Sequence, residues 1–162
     1  IVYDCERWRE DIAPMMAAAD YFIPSADFLQ AKELNLAGLS FEQQMFRLEE
    51  MVAGSLVVTR GEKGAYYIDS EQLINVPAPK VEVKDTTGAG DNFHAAFSLA
   101  VSRGYDLPAA VKLSVAVASL SCREYGGRQS VPEMTEAQEL ADKLEEQVAA
   151  VKKEISPDQV IR

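Results

Sequence analysis

A short glycine-rich run around Asp91 leads directly into an apolar stretch, an arrangement that suits phosphoryl transfer. The run is Asp85-Thr86-Thr87-Gly88-Ala89-Gly90-Asp91-Asn92-Phe93. A glycine loop that leads into a helix presents unpaired backbone N–H groups and the positive end of the helix dipole, which together attract phosphate. We expect Asp91 to cap this helix and to direct its carboxylate toward the same place, where it can take a proton from an attacking hydroxyl.

Composition and charge narrow the class of protein. A chain of 162 residues that is 48% hydrophobic can bury the core of one domain. The formal net charge of −10 argues against nucleic acid or an anionic membrane as the main partner, although an anionic small ligand stays open. Cys5 and Cys122 lie far apart, which favours a reduced, cytoplasmic protein over a disulfide. No apolar run reaches the roughly 20 residues that span a bilayer.

Alternating strands and helices predict an α/β fold, a three-layer α-β-α, Rossmann-like core around a mostly parallel sheet. Predicted strands are 1–4, 20–24, 55–59, 65–68 and 73–76, and predicted helices are 11–19, 28–34, 41–51, 91–103, 107–123 and 135–153, followed by a tail at 155–162. Ligands of such folds bind beyond the carboxyl ends of the strands. The glycine-containing segments 60–64 and 88–90 are therefore expected to share one crevice.

Three segments, read together, resemble the ribokinase-like (PfkB) family of carbohydrate kinases. The run from Asp85 to Phe93 is similar to the signature around the catalytic aspartate of that family. Residues 57–64, Val-Val-Thr-Arg-Gly-Glu-Lys-Gly, are similar to its turn under the ATP phosphates, and residues 121–132 are similar to its closing loop. The order and spacing of the three segments also match, so the resemblance covers nearly the whole chain.

The resemblance implies transfer of the γ-phosphoryl group of ATP to a hydroxyl of a sugar or sugar-like substrate. Asp91 would be the general base that accepts the hydroxyl proton. The backbone amides of Gly88, Ala89 and Gly90 would form an anion hole for the transferring phosphoryl group.

The resemblance also assigns nucleotide and ion sites. The positions that match nucleotide contacts are Thr59, Gly61, Gly64, Ser114 and Ser25. Those that match a monovalent cation (K⁺) site are Asp85, Thr87, Ser121, Glu124, Gly126 and Ser130. The family's Asn-x-x-Glu pair, which organises Mg²⁺, is replaced by Ser25 and Phe28, and we expect Asp27 to supply the acid instead.

The resemblance further implies that residues 1–162 are the nucleotide-binding and catalytic C-terminal portion of a longer enzyme. The sugar-binding N-terminal half and its β lid, through which a homodimer would form, are expected to lie outside this chain, which alone would be inactive. Three alternatives stay open: a nucleoside kinase of the same fold, a non-catalytic nucleotide-binding relative, and a domain that binds a partner through an open sheet edge.

Overall fold

The computed structural model describes residues 1–152, in which six strands form one mixed sheet with helices on both of its faces. The strands lie side by side in chain order and are β1 (Val2–Cys5), β2 (Tyr21–Pro24), β3 (Ser55–Thr59), β4 (Ala65–Asp69), β5 (Gln72–Val76) and β6 (Gln147–Lys152). The helices are α1 (Ile12–Ala18), α2 (Phe41–Glu49), α3 (Ala89–Ser102), α4 (Leu107–Ser121) and α5 (Met134–Ala141).

The prediction of a mostly parallel sheet is wrong for the described strands. β1 and β2 pair in parallel, as do β2 and β3, but the pairs β3–β4, β4–β5 and β5–β6 are antiparallel. Connection length explains the difference, because a parallel pair needs a crossover of a dozen or more residues. Residues 60–64 are too few for that, and the sequence itself predicts 65–68 as the hairpin partner of 55–59, which is confirmed. Ser70 and Glu71 form a two-residue turn with φ of 49° and 65°, which suits a tight hairpin.

Two apolar cores lie on opposite faces of the sheet and confirm the three-layer α/β architecture. Alternate residues of β3 enter them, since Val57 joins the first core whereas Leu56 and Val58 join the second. The first, here named the α3–α5 core, contains residues of α3, α4 and α5; the second, the α1–α2 core, contains residues of α1, α2 and the segment between β2 and α2.

Some helix boundaries follow the sequence closely. The sequence predicts Ser40 as the N-cap of α2, and this is confirmed, because Ser40 Oγ accepts the Gln43 N–H and the Gln43 side chain accepts the Ser40 N–H in a complete capping box. The sequence also predicts that Gly104 ends α3, and this is confirmed, since Gly104 adopts φ of 82° just beyond the helix.

Three predicted helices differ from the structure. The predicted helix at 28–34 is two short 3₁₀ turns, Ala26–Gln30 and Lys32–Leu34. The predicted helix at 91–103 begins earlier, at Ala89. The predicted helix at 135–153 ends at Ala141, and the chain then pairs with β5 as β6, because the open edge of the hairpin outweighs local helix preference. The predicted tail at 155–162 lies outside the described residues.

Candidate active site

The first turn of α3 leaves backbone N–H groups without partners. Gly88 is the N-cap in the left-handed conformation (φ 77°, ψ 5°), and its carbonyl accepts the Asn92 N–H at 2.8 Å. The Ala89 N–H donates to the Thr86 carbonyl at 3.1 Å. Among the described residues the N–H groups of Gly88, Gly90 and Asp91 have no acceptor. The sequence analysis assigns the anion hole to the amides of Gly88, Ala89 and Gly90. In the structure the Ala89 N–H is already hydrogen-bonded, and the Asp91 N–H is free in its place.

Asp91 is the third residue of α3 and not its cap, which corrects the sequence prediction. The cap lies at Gly88 because the turn from Thr86 to Ala89 starts the helix before the acid is reached. The Asp91 side chain is exposed and makes no hydrogen bond or ion pair within residues 1–152. A carboxylate in the first turn still faces the positive end of the helix dipole.

Gly88 and Gly127 touch through their backbones. A Cβ built on Gly88 would lie 2.8 Å from the Cα of Gly127, and one on Gly127 would lie 3.0 Å from the carbonyl oxygen of Thr87. A Cβ on Gly90, in contrast, would meet no atom of the described protein within 4 Å. The structure therefore brings the signature run and the closing loop (residues 121–132) into direct contact, while Gly90 faces open space.

Asp85 fastens the closing loop from the side of the signature run. Its Oδ1 accepts the Thr87 N–H at 2.9 Å and its Oδ2 accepts the Gly126 N–H at 3.0 Å. These hydrogen bonds, that from Gly126 first, stabilise the ionised form and lower the pKa of the carboxyl. The Cys122 carbonyl accepts the N–H groups of Lys84 and Asp85 at 2.8 and 3.2 Å, so the two segments are held at several points.

The residues assigned to a monovalent cation are partly drawn together. Asp85, Thr87 and Gly126 are linked by the hydrogen bonds just described, and Ser130 lies near the end of the same loop with its N–H donating to the Gly126 carbonyl at 3.2 Å. The Ser130 Oγ is buried and has no hydrogen-bond partner among the described residues. Such an oxygen is suited to a ligand, because a buried polar atom without a partner is costly.

The other two residues of that set have bonds of their own. The Ser121 hydroxyl donates to the Ala118 carbonyl at 2.9 Å. The exposed Glu124 carboxylate pairs with Lys84 at 3.1 Å. Within residues 1–152 no three or more His, Cys, Asp or Glu side chains form a group that could hold a metal ion.

The turn after β3 joins two of the predicted nucleotide contacts. Thr59 and Ser25 form a parallel bridge at the carboxyl ends of their strands, so these hydroxyl residues are neighbours. The Arg60 N–H donates to the Gly64 carbonyl at 2.8 Å and closes the turn. Gly61 is exposed, whereas Gly64 is buried and its absent Cβ would lie 2.0 Å from the Val76 carbonyl oxygen. Gly64 is thus required by the fold itself.

Ser114 and Asp27 have surroundings that the sequence did not predict. Ser114 is fully buried within α4, where its hydroxyl donates to the Ala110 carbonyl at 2.7 Å, so the structure does not bring it to an open surface. Asp27 is exposed on the first 3₁₀ turn. Its neighbour Phe28 is buried, with its ring centroid 5.5 Å from that of Phe22 and 6.1 Å from that of Trp8.

Three contacts near the site were missed by the sequence analysis. The Asn92 Nδ2 donates to the Gly127 carbonyl at 3.1 Å, Lys84 pairs with Glu124, and the Nε2 of His94 lies 3.0 Å from the Oδ1 of Asp4. Two of these contacts left a signal, since Asn92 is a polar residue on the buried side of α3 and the sequence predicts His94 to be a half-buried helix histidine with a partner. Lys84 and Asp4 left no signal in the sequence, because their partners are distant along the chain.

Cys5 and Cys122 are both buried and free. Within the described part of the chain, none of the helices has the length and apolar character needed to cross a membrane.

Comparison with known proteins connects this arrangement to one family. Residues 1–134 match the model described as pfkB family carbohydrate kinase. A ribokinase of Lactococcus lactis is 31% identical over 150 residues, which are 90% of this chain and 46% of the relative. A nucleoside kinase of Methanothermobacter thermautotrophicus is 38% identical over 90 residues, 56% of this chain and 29% of the relative. The chain spans about half the length of the first of these relatives.

The solved structures agree in fold. A ribokinase of Arabidopsis thaliana, whose structure contains ribose and ATP, superposes with a TM-score of 0.69 at 27% identity. The match covers 80% of this chain and 43% of that protein.

Proposed function

The chain belongs to the pfkB family of carbohydrate kinases, and on this premise we propose that the complete protein transfers the γ-phosphoryl group of ATP to a hydroxyl of a sugar or sugar-like alcohol. Ribokinases among the similar proteins support the reaction class, and the ribose and ATP held by the Arabidopsis protein support the two substrates. In this proposal residues 1–162 contribute the nucleotide-binding and catalytic C-terminal portion.

The observation that carries the proposal is the composition of the first turn of α3. Within residues 1–152 it combines three N–H groups that lack acceptors, a glycine with open space where a Cβ would lie, and an exposed acid without a partner. Free N–H groups occur at every helix N-terminus, and the helix dipole favours an acid there, so the proposal depends on the combination of these groups with the open space beside Gly90. A phosphoryl group and the hydroxyl that attacks it would use both the amides and the acid.

The mechanism follows from these groups. The free N–H groups of Gly88, Gly90 and Asp91 would stabilise the negative charge on the equatorial oxygens of the transferring phosphoryl group, at the positive end of the α3 dipole. The Asp91 carboxylate would accept the proton of the substrate hydroxyl as its oxygen bonds to phosphorus and the bond from phosphorus to the ADP oxygen breaks.

The residues beyond this turn would place the nucleotide. Thr59, Gly61 and Ser25 lie together at the carboxyl ends of β2 and β3, where we propose contact with the ATP phosphates. Gly64 and Ser114 would act indirectly, because one is packed against Val76 and the other is bonded inside α4.

A monovalent cation such as K⁺ fits the closing loop. The unpartnered Ser130 Oγ and the carboxylate of Asp85 supply oxygens there, with backbone carbonyls of Thr87, Ser121, Glu124 and Gly126 as the remaining candidates. When bound, the cation would supply positive charge beside the free amides. For Mg²⁺ the described residues offer no group of three or more His, Cys, Asp or Glu side chains, and a single acid such as Asp27 would suit an ion held mainly by nucleotide phosphates and water.

Replacing Asp91 tests the assignment. Asp91→Asn retains the size of the side chain but removes the base, so we expect kcat of the complete protein to fall by about 10²- to 10⁴-fold while ATP binding is retained. The matched control is Asp11→Asn, an exposed aspartate at the N-cap of α1 where asparagine also fits. ADP release is measured with a panel of sugars, and unchanged turnover in Asp91→Asn would exclude Asp91 as the base.

A nucleoside kinase is the second candidate, because a nucleoside kinase is among the similar proteins. Both candidates use the same phosphoryl-transfer site and differ in the acceptor. Parallel assays with pentoses, hexoses and nucleosides at fixed ATP separate them, since the preferred acceptor has the higher kcat/KM. Absence of turnover with every acceptor, together with retained ATP binding, would instead favour the non-catalytic alternative.

A further inference from the structure

We propose that Asn92 is a positioning residue that holds the closing loop against the first turn of α3. The proposal rests on the proposed function, because it concerns how the same phosphoryl-transfer site is kept in shape. Asn92 follows Asp91 directly and is buried, with only 9% of its surface exposed. Its side-chain hydrogen bond goes to the Gly127 carbonyl of the closing loop, so it would act through the loop.

The loop is held at two consecutive residues by two side chains of the signature run. The Asn92 Nδ2 donates to the Gly127 carbonyl at 3.1 Å, and the Asp85 Oδ2 accepts the Gly126 N–H at 3.0 Å. The loop accepts one of these hydrogen bonds and donates the other, and the two lie on adjacent residues. Together they fix both the position and the orientation of this segment. Asp85 alone would leave Gly127 able to swing about the Gly126 backbone, whose φ of 85° is open to a glycine.

The position of Gly127 matters because Gly88 depends on it. The two backbones are so close that a Cβ on either would meet the other at 2.8 to 3.1 Å. Gly88 is the N-cap of α3, and the free amides begin there. A loop that moves away from Gly88 would therefore loosen the turn that presents those amides to phosphate.

Burial argues that the amide of Asn92 is there for its hydrogen bond. The residue lies with Phe93, Ala96 and Phe97 among the buried residues of α3, where a side chain needed only for packing would be apolar. A buried polar group is costly unless it is bonded, and the bond to Gly127 meets that requirement.

Asn92→Leu is the sharpest test, since leucine has nearly the same shape and suits an apolar environment but cannot donate to Gly127. If Asn92 had only a packing role, this change would be neutral. Gln44→Leu is the matched control, because the buried Gln44 Nε2 also donates to a backbone carbonyl, that of Leu36 at 3.3 Å, but in the α1–α2 core. Asn92→Ser retains a donor on a smaller side chain and serves as a second variant.

Two measurements on the complete protein decide the proposal. The first is the rate at which trypsin cleaves after the exposed Arg128 of the closing loop under native conditions, followed by peptide mass spectrometry. The second is a steady-state kinetic measurement in which KM for ATP and kcat are determined as separate values. Loss of one hydrogen bond changes an equilibrium by up to about tenfold. We expect Asn92→Leu to raise both the cleavage rate and KM for ATP by about fivefold to tenfold, with a smaller change in kcat.

The variants separate the possible outcomes. Gln44→Leu is expected to lower stability without changing either quantity, and Asn92→Ser to lie between the leucine variant and the unmodified protein. Equal cleavage after Arg128 in Asn92→Leu would overturn the proposal, and so would faster cleavage with an unchanged KM. If the protein phosphorylates no acceptor, KM is replaced by the dissociation constant of ATP, so that failure of the proposed function leaves this test intact.

Discussion

Gly88 and Gly90 stand two positions apart at the start of α3, and their surroundings differ. Gly88 has a positive φ and is in backbone contact with Gly127, so the fold itself excludes a side chain there. Gly90 is helical and its missing Cβ would point into open space. Since a glycine in a helix costs stability without local gain, its presence is best explained by something that must approach the backbone closely.

Alanine at the two positions should therefore separate stability from activity. We expect Gly90→Ala to leave the free energy of unfolding unchanged or to raise it by about 0.5–1 kcal/mol, because alanine is the better helix former. The same change should lower kcat/KM for ATP by at least tenfold, since the methyl group would occupy the phosphate approach. Gly88→Ala should instead destabilise by about 1–2 kcal/mol or more, from the left-handed backbone alone. Urea unfolding and steady-state kinetics measure both, and full activity in Gly90→Ala would contradict the anion hole.

At the scale of elements, the turn between β3 and β4 is shaped by hydrogen bonds and close packing. The Arg60 N–H and Gly64 carbonyl close it, and the Arg60 guanidinium lies 4.1 Å from the centre of the Phe41 ring at the start of α2. Gly64 has φ of 85° and ψ of −142°, a region open essentially to glycine alone. The turn that would lie under the ATP phosphates is therefore set by the sheet before any ligand binds.

Two glycines of this turn give an internal comparison. A Cβ on Gly64 would clash with the Val76 carbonyl, whereas one on Gly61 (φ 52°) would meet nothing within 4 Å. We expect Gly64→Ala to destabilise by about 3 kcal/mol or more, from backbone strain and the clash together. Gly61→Ala should lower the free energy of unfolding by only about 1 kcal/mol, because alanine is disfavoured in the left-handed conformation. Urea midpoints at constant m-value report the difference, and equal losses would show that the packing against Val76 is not decisive.

The sequence predicted those elements whose signals are local. Ser40 marks the start of α2, Gly104 ends α3, and the signature run locates Asp91 in the first turn of α3. It could not predict that 147–152 forms a strand, because that segment has a helical pattern and only the free edge of β5 makes it a strand. It also could not show that the Ala89 N–H donates to the Thr86 carbonyl, or that the Asn92 side chain donates to the Gly127 carbonyl. Both hydrogen bonds depend on the three-dimensional arrangement of the loops.

At the scale of the whole molecule, the sheet connects the two cores, because each of the strands β1 to β5 contributes residues to both of them. In β2, Phe22 enters the α1–α2 core while the adjacent Ile23 enters the α3–α5 core. Loss of either layer would therefore expose one face of the same strands. A molecule built in this way is expected to unfold its two helical layers together.

The two buried thiols report on this cooperativity from different parts of the molecule, Cys5 in the α1–α2 core and Cys122 just beyond α4. Burial raises the pKa of both above the ordinary value of 9.0, so at pH 8 the reactive thiolate is rarer than in an exposed cysteine. We expect iodoacetamide to label both slowly in the native protein, and the labelling of both to rise over the same range of urea concentration. Peptide mass spectrometry distinguishes the two sites, with labelling in fully unfolding urea as the control. Labelling of Cys122 at urea concentrations that still protect Cys5 would show that the layers unfold separately.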